Sequence, residues 1–125
     1  ASDEVLFADL DWMKKNEKSV TILVEELYRT WQDFTKDPTI LDRERKERNL
    51  LSDLPKELLT DVDGYYKEAV EGGLFDPEGG SVETAKADFS FFVAAGQMNG
   101  PAESLKVEDY WYFAPLDAAK AKFGK

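Results

Sequence analysis

The sequence predicts a mainly α-helical fold of about five or six helices, joined by short turns rich in glycine and proline. Two observations predict it. Between residues 17 and 36, apolar side chains recur every three or four positions, which places them on one face of a helix: Val20, Val24, Leu27, Trp31 and Phe34. Glycine and proline then punctuate the chain at four places where helices end or turns begin: Asp37-Pro38, Gly72-Gly73, Asp76–Gly80 and Gly100-Pro101.

The composition limits the possible functions. With 125 residues the chain is long enough to bury a core, and we expect one domain over residues 1–125. It contains no cysteine and no histidine, which excludes disulfides, thiolate metal sites and histidine-based acid–base chemistry within this chain. A formal net charge of -10 argues against a nucleic acid or an anionic membrane as partner. The sequence shows neither a signal peptide nor an apolar run near the roughly 20 residues that span a bilayer.

The first two helices are predicted over residues 1–16 and 17–36. Ser2 or Asp3 is a suitable cap for the first helix and Asn16 a suitable end, while a strand end at Val5-Leu6-Phe7 is the alternative. The second helix ends at Asp37-Pro38, because a residue before proline is disfavoured in the α region. Its stripe is widened by Ile22, Leu23 and Tyr28, so we expect it to pack on more than one neighbour.

The next two helices are predicted over residues 39–51 and from residue 52 onward. Asp42–Arg48 alternates opposite charges at i,i+3 and i,i+4 spacing, which favours a solvated helix face over a docking patch for an acidic partner. Ser52 or Asp53 is the expected cap of the following helix, with Pro55 in its first turn. The expected buried face of that helix comprises Leu58, Leu59, Val62, Tyr65, Tyr66, Ala69 and Val70.

A glycine-rich turn precedes the fifth helix. Gly72-Gly73 ends the fourth helix, and Asp76-Pro77-Glu78-Gly79-Gly80 has the chemistry of a turn. A phosphate cradle is the alternative, but Asp76, Glu78 and Glu83 would repel an anion and no Walker lysine follows. Ser81 is the expected cap of the fifth helix, and Gly96 its end. The expected buried face comprises Val82, Ala85, Phe89 and Phe92.

The densest aromatic cluster is Tyr110-Trp111-Tyr112-Phe113. It follows Leu105–Asp109, for which short extended backbone is expected, and precedes a last helix that begins at Ala114 or Asp117. Such a cluster can stack on a sugar, a base or an apolar ligand. Anchoring of the last helix is favoured, because four adjacent side chains point in different directions. For Trp31 and Phe34 the sequence favours core packing over ligand contact.

No catalytic, cofactor-binding or metal-ligating residue is predicted. Carboxylate pairs such as Asp9 with Asp11 and Asp61 with Asp63 lack the flanking ligands of a calcium loop and are typical of solvated helix faces. Nothing in the sequence supports an acid–base carboxylate pair. We therefore expect the chain not to be an enzyme and to need no cofactor.

The order of these motifs resembles the C-terminal part of a protein family. The residues that carry the resemblance are Asp11–Asn16, the Asp37-Pro38 helix end, Leu74–Gly80, Gly96, Leu105–Asp109, Ala114-Pro115-Leu116 and Ala118-Ala119. This pattern is similar to the NMT1/THI5-like periplasmic solute-binding proteins of ABC importers, which include binders of sulfonates, taurine and pyrimidine precursors. The resemblance implies the helical part of a type II periplasmic-binding fold without its N-terminal lobe. It carries no ligand-binding residue to a numbered position here.

Two functional hypotheses follow from the resemblance and the aromatic residues. In the first, the chain belongs to a solute-binding protein of an ABC importer and supports capture of a small organic solute in the periplasm or another exported location. In the second, it is an independent helical accessory subunit that docks on a larger complex through exposed aromatics. The candidate partner interface comprises Trp31, Tyr110, Trp111, Tyr112 and Phe113. Both hypotheses predict a polypeptide partner, either another copy or a different chain.

Overall fold

The structure is mainly helical, as the sequence predicts. The computed structural model describes residues 5–124, without the side chain of Asp63. The α-helices in this part of the chain are α1 (Leu10–Lys15), α2 (Glu17–Lys36), α3 (Thr39–Glu47), α4 (Lys56–Glu71), α5 (Val82–Ala94) and α6 (Ala114–Phe123). Two single turns of 3-10 helix, Ala102–Ser104 and Val107–Asp109, lie between α5 and α6.

The first helix, predicted over residues 1–16, does not include residues 5–9, and the strand expected as an alternative at Val5-Leu6-Phe7 is wrong as well. These residues have no regular secondary structure, and residues 5–124 contain no strand with which they could pair. A lone strand would leave its N–H and C=O groups without partners in a ladder. Extended backbone at Leu105–Asp109 is confirmed only for Leu105 and Lys106, because Val107–Asp109 closes into a 3-10 turn.

Short-range signals set most helix ends correctly. The helix α2 has the predicted limits, and Asn16 ends α1 with its side-chain amide donating to the Trp12 carbonyl at 2.8 Å. The Ser81 hydroxyl accepts the Thr84 N–H at 3.1 Å and caps α5. Pro115 lies in the first turn of α6, which begins at Ala114. These ends follow from contacts within about four residues, which a local sequence pattern encodes.

The predicted N-cap residues of two helices do not cap them in the structure or lie outside the described residues. The helix α1 begins at Leu10, where the Asp9 carboxylate accepts the Trp12 N–H at 2.8 Å; the candidates Ser2 and Asp3 lie outside the described residues. Neither Ser52 nor Asp53 caps α4, whose N-cap is Pro55 without a side-chain hydrogen bond. Residues 48–54 instead form turns, so both side chains precede the cap position by two residues or more.

The turn between α3 and α4 contains two residues with left-handed backbone. Asn49 has φ of 53° and Leu51 has φ of 60°, a region that costs a leucine conformational energy. The helix α3 that precedes this turn has the ion pairs expected from its sequence, but its charged face is solvated only in part, because the Arg45 side chain is 11% exposed. Asp42 accepts from Arg45 at 2.8 Å and from Lys46 at 2.6 Å, and Glu44 accepts from Arg48 at 2.6 Å.

The described residues divide into two compact units, and the division falls within α2. The central unit is Leu27–Gly79, and the terminal unit is residues 5–26 with residues 80–124. Each unit has a small core of its own. The one-domain expectation stays a prediction, because compact units of this size occur within single folding domains.

The core of the central unit is a cluster of aromatic rings around Phe34. Its ring lies 5.6 Å from Trp31, 5.2 Å from Phe75 and 5.7 Å from Tyr66, all edge to face. Tyr28 and Phe34 are buried on the α2 side of this cluster, and Ala69 is buried on α4. The sequence favours core packing for Trp31 and Phe34, and the structure places both rings in this aromatic cluster.

The core of the terminal unit forms where α5 meets the 3-10 turns. Ala85, Phe89 and Val107 are buried together. The side chains packed against them are Met98, Ala102, Leu105, Trp111 and Phe113. The helix α6 adds two buried residues, Pro115 and Ala119. Its Lys120 ammonium donates to the Gly80 carbonyl at 2.6 Å, which links the C-terminal helix to the turn before α5.

Candidate functional site

The aromatic segment Tyr110–Phe113 alternates between the core and the solvent. Trp111 and Phe113 are half-buried against the terminal core, whereas Tyr110 is 57% exposed and Tyr112 is 53% exposed. The rings of Trp111 and Phe113 stack with centroids 5.7 Å apart and planes 6° apart. Two rings therefore anchor the segment, as favoured from the sequence, and two rings are exposed; ligand stacking stays a prediction.

The 3-10 turn Val107–Asp109 positions this segment. The Val107 carbonyl accepts the N–H groups of both Tyr110, at 3.0 Å, and Trp111, at 2.8 Å. Since the Val107 side chain is itself buried beside Phe89, the start of the segment is fixed to the core. Tyr110 remains largely exposed although its ring contacts Phe89 edge to face at 5.2 Å.

The remaining candidate interface residue, Trp31, belongs to the aromatic cluster of the central unit. Its ring contacts Phe75 at 5.0 Å in addition to Phe34, and its indole N–H donates to the main-chain carbonyl of Asp76. The residue is half-buried, so one part of the ring is available to a partner while the polar N–H is already used. The structure thus places Trp31 in the central unit and residues 110–113 in the terminal unit.

The helix α2 binds the glycine-rich turn through side-chain hydrogen bonds that the sequence pattern did not predict. Side-chain donors on one face of the helix reach three successive residues of the turn: Tyr28 donates to the Glu78 carboxylate at 3.4 Å, Trp31 to the Asp76 carbonyl and Gln32 to the Pro77 carbonyl. The turn itself closes through the Gly79 N–H to the Asp76 carbonyl at 2.9 Å. The available signal was the i, i+3, i+4 spacing of donors on the predicted helix, but the acceptors lie about 45 to 50 residues away.

The ionisation of Tyr28 is displaced from its ordinary value. Burial of the phenol raises the pKa of Tyr28 above 10.0, and the nearby Glu78 carboxylate raises it further because it repels a phenolate and accepts the hydroxyl proton. At neutral pH the hydroxyl is therefore a donor, as the contact with Glu78 requires. This pair stabilises the turn and is too far from a reactive pKa for acid–base work near neutrality.

Helical stripes of apolar residues are only partly covered. In α2, Ile22 and Leu23 widen the stripe as expected, yet both are exposed, as is Leu27. In α4, Leu58 and Tyr65 are exposed at one edge of the stripe while Ala69 is buried. The predicted buried face of α5 is likewise incomplete, since Val82 is exposed and Phe92 is half-buried. The prediction of burial is wrong for Leu58, Tyr65 and Val82, because no described neighbour covers that edge of each stripe.

An open groove of about 440 Å³ lies beside the aromatic segment in the terminal unit. Apolar and charged side chains from α5 and from residues 105–113 line it. They are Val82, Lys86, Leu105, Lys106, Val107, Glu108, Trp111, Tyr112 and Phe113. Its apolar floor and charged rim have the general character of a recognition surface.

Residues 5–124 offer no metal centre and no membrane span. Within that range no three acidic side chains converge as a metal site would require, and no helix is both long and apolar enough to cross a bilayer. No family model, curated protein or solved structure was found to match the chain.

Proposed function

We propose that this chain acts by docking, and that another polypeptide covers the apolar edges of its helices. The observation that carries the proposal is the mismatch between periodicity and burial. The apolar stripes of α2 and α4 predict burial for four residues that are in fact exposed: Leu23, Leu27, Leu58 and Tyr65. Large exposed apolar patches usually mark protein–protein contacts, and periodic ones fit a helical interface.

The total exposed surface supports the same proposal. The accessible surface of the chain is 9373 Å². Two separate compact globules with the masses of the two units would expose roughly 8,100 Å² in total, by the scaling for folded monomers. Part of this surface is apolar, including the side chains of Leu58 and Tyr65, and the chain gains free energy when a partner removes that part from water.

The resemblance gives this proposal its specific form. We propose that the chain provides the C-terminal helical support of a periplasmic or otherwise exported solute-binding protein of an ABC importer, and that the covering polypeptide supplies the ligand cleft. The motif order supports it, and so does the contact between two of the motifs. The long helix before Asp37-Pro38 holds the Asp76–Gly79 turn through three side-chain donors. Genes for a permease and an ATPase beside this gene would favour the importer.

The second candidate is a helical accessory subunit of another complex. The exposed rings of Tyr110 and Tyr112 favour it, because tyrosine is enriched at protein interfaces. Both candidates require a partner, but they differ in what the partner does. A partner that binds a small organic solute only when joined to this chain supports the importer, and a partner with no solute site supports the accessory subunit.

Native mass spectrometry and light scattering of the purified chain test the docking proposal. Between about 1 and 100 µM, the concentration range in which weak interfaces populate, we expect self-association or a retained second polypeptide. The double variant Leu58→Gln with Tyr65→Gln removes exposed apolar surface from α4 and should reduce association. Thr60→Gln, an exposed change on the same helix, is the matched control. A chain that stays monomeric throughout and binds no apolar dye would refute the proposal.

A further inference from the structure

We propose that the groove of the terminal unit binds an extended peptide segment that carries one large apolar side chain flanked by carboxylates. The inference rests on the proposed function and deepens it, since it assigns one surface and one partner chemistry. The groove runs between the first turns of α5 and the backbone of residues 105–113, so its shape depends on the terminal unit alone.

The floor of the groove favours an apolar side chain. The stacked rings of Trp111 and Phe113 contribute apolar surface to the groove, and both rings are already packed against the terminal core. Leu105 and Val107 continue this surface, while exposed Val82 and Tyr112 border it. A volume of about 440 Å³ accommodates a large side chain together with some main chain.

The rim of the groove favours carboxylates. Lys86 and Lys106 both line it, both are exposed, and neither forms an ion pair with a residue of the described chain. Glu108 is the one acidic residue among the lining side chains. In a chain of formal net charge -10, a rim with two lysines and one carboxylate is a local reversal of sign. Such a rim attracts an acidic partner and orients it.

The backbone beside the groove favours a peptide over a compact ligand. Leu105 has φ and ψ of -79° and 129°, and Lys106 has -91° and 128°, so this wall is extended main chain. An extended peptide can lie beside such a wall, and the side-chain pocket next to it supplies specificity. The groove is also open to solvent, which leaves room for a chain to enter and leave it.

The test uses the full chain and a fluorescein-labelled probe peptide with one phenylalanine between pairs of aspartates. We expect fluorescence anisotropy to report a dissociation constant of the order of 10–100 µM, as for small interfaces. Replacing the aspartates by asparagine, or the phenylalanine by serine, should weaken binding at least fivefold. Binding that is equal for all three peptides would overturn the proposal.

Matched protein variants locate the binding site. Lys86→Gln with Lys106→Gln should weaken binding of the probe about fivefold, because two exposed charge contacts are lost. Lys18→Gln with Lys36→Gln makes the same change in net charge at two exposed lysines outside the groove and should leave binding unchanged. Val82→Asp places a carboxylate at the groove in the first turn of α5, where helices tolerate it, and should abolish binding.

Three results would overturn the groove assignment: no binding of the probe at 1 mM, equal weakening by both lysine pairs, or equally tight binding of benzoate, which would indicate a small-ligand site. These results are separable from failure of the proposed function. If the chain still associates in native mass spectrometry while the probe does not bind, only the groove assignment is wrong. If the probe binds a chain that neither associates nor binds apolar dye, the groove is supported and the general docking proposal is refuted.

Discussion

Phe34 gives the sharpest test of the packing described for the central unit. Its side chain is 3% exposed and contacts the rings of Trp31, Tyr66 and Phe75. Phe34→Ala removes the ring from the centre of this cluster and leaves a cavity that the surrounding rings fill only in part. We expect the free energy of unfolding to fall by about 3–5 kcal/mol. That loss approaches the whole stability of a small domain.

Phe91→Ala is the matched control, because it makes the same chemical change at a phenylalanine that is 53% exposed. Its ring contacts Phe92 at 5.4 Å, so we expect a loss of about 1 kcal/mol or less. Phe34→Leu retains most of the buried volume and should cost about 1–1.5 kcal/mol, which keeps a folded variant in the series if Phe34→Ala does not fold.

Urea unfolding followed by tryptophan fluorescence measures these losses. In a background of Trp12→Phe and Trp111→Phe, the remaining Trp31 lies 5.6 Å from Phe34 and reports on the central unit. Circular dichroism at 222 nm reports on the helices of the whole chain. Equal shifts of the midpoint for Phe34→Ala and Phe91→Ala would refute the assignment of Phe34 to a core.

Three further predictions concern single residues. Gly64→Ala should raise the free energy of unfolding by about 0.5–1 kcal/mol, because alanine favours the helix interior and the added Cβ meets only the Glu68 carboxylate at 3.7 Å; a lower melting temperature would contradict it. Ser81→Ala should lower the free energy of unfolding by about 1 kcal/mol, because it removes the side-chain cap of α5. Ser90→Ala, at an exposed position inside the same helix, should leave the stability unchanged, and equal effects of the two variants in thermal melts would contradict the role of Ser81 as a cap. Because the pKa of Tyr28 is raised, the phenol stays protonated to a higher pH in the folded chain than in the unfolded chain. The contribution of the protonated phenol to the free energy of unfolding is therefore complete below pH 10, and it is lost as the pH rises through the folded-state pKa. Tyr28→Phe should remove that loss and one late step in absorbance titration at 295 nm, and an unchanged titration would contradict the assignment.

The candidate interface shows how far sequence reasoning reaches. The expectation that Tyr110–Phe113 points in several directions is seen in the alternation of exposed tyrosines with half-buried Trp111 and Phe113. Which pair faces the core was open, because that depends on the 3-10 turn at Val107 and on where α5 lies. The two lysines of the groove gave no sequence signal at all, since Lys86 and Lys106 are 20 positions apart and meet only through the fold.

The sequence by itself determined the helices and many of their limits, although the predicted starts of α1 and α4 and the predicted end of α3 were wrong. The span of α2, the Ser81 cap, the Asn16 end and Pro115 in the first turn of α6 depend on interactions within about one helical turn, so neighbouring residues encode them. Only the tertiary structure decided which part of each apolar stripe is covered. It buried Phe34 and left Leu58 and Tyr65 in water, and it joined α2 to the turn at Asp76–Gly79. Whether a residue is buried depends on contacts with residues far away in the chain. The periodicity of a helix shows that one face is apolar, but it does not show which other segment covers that face.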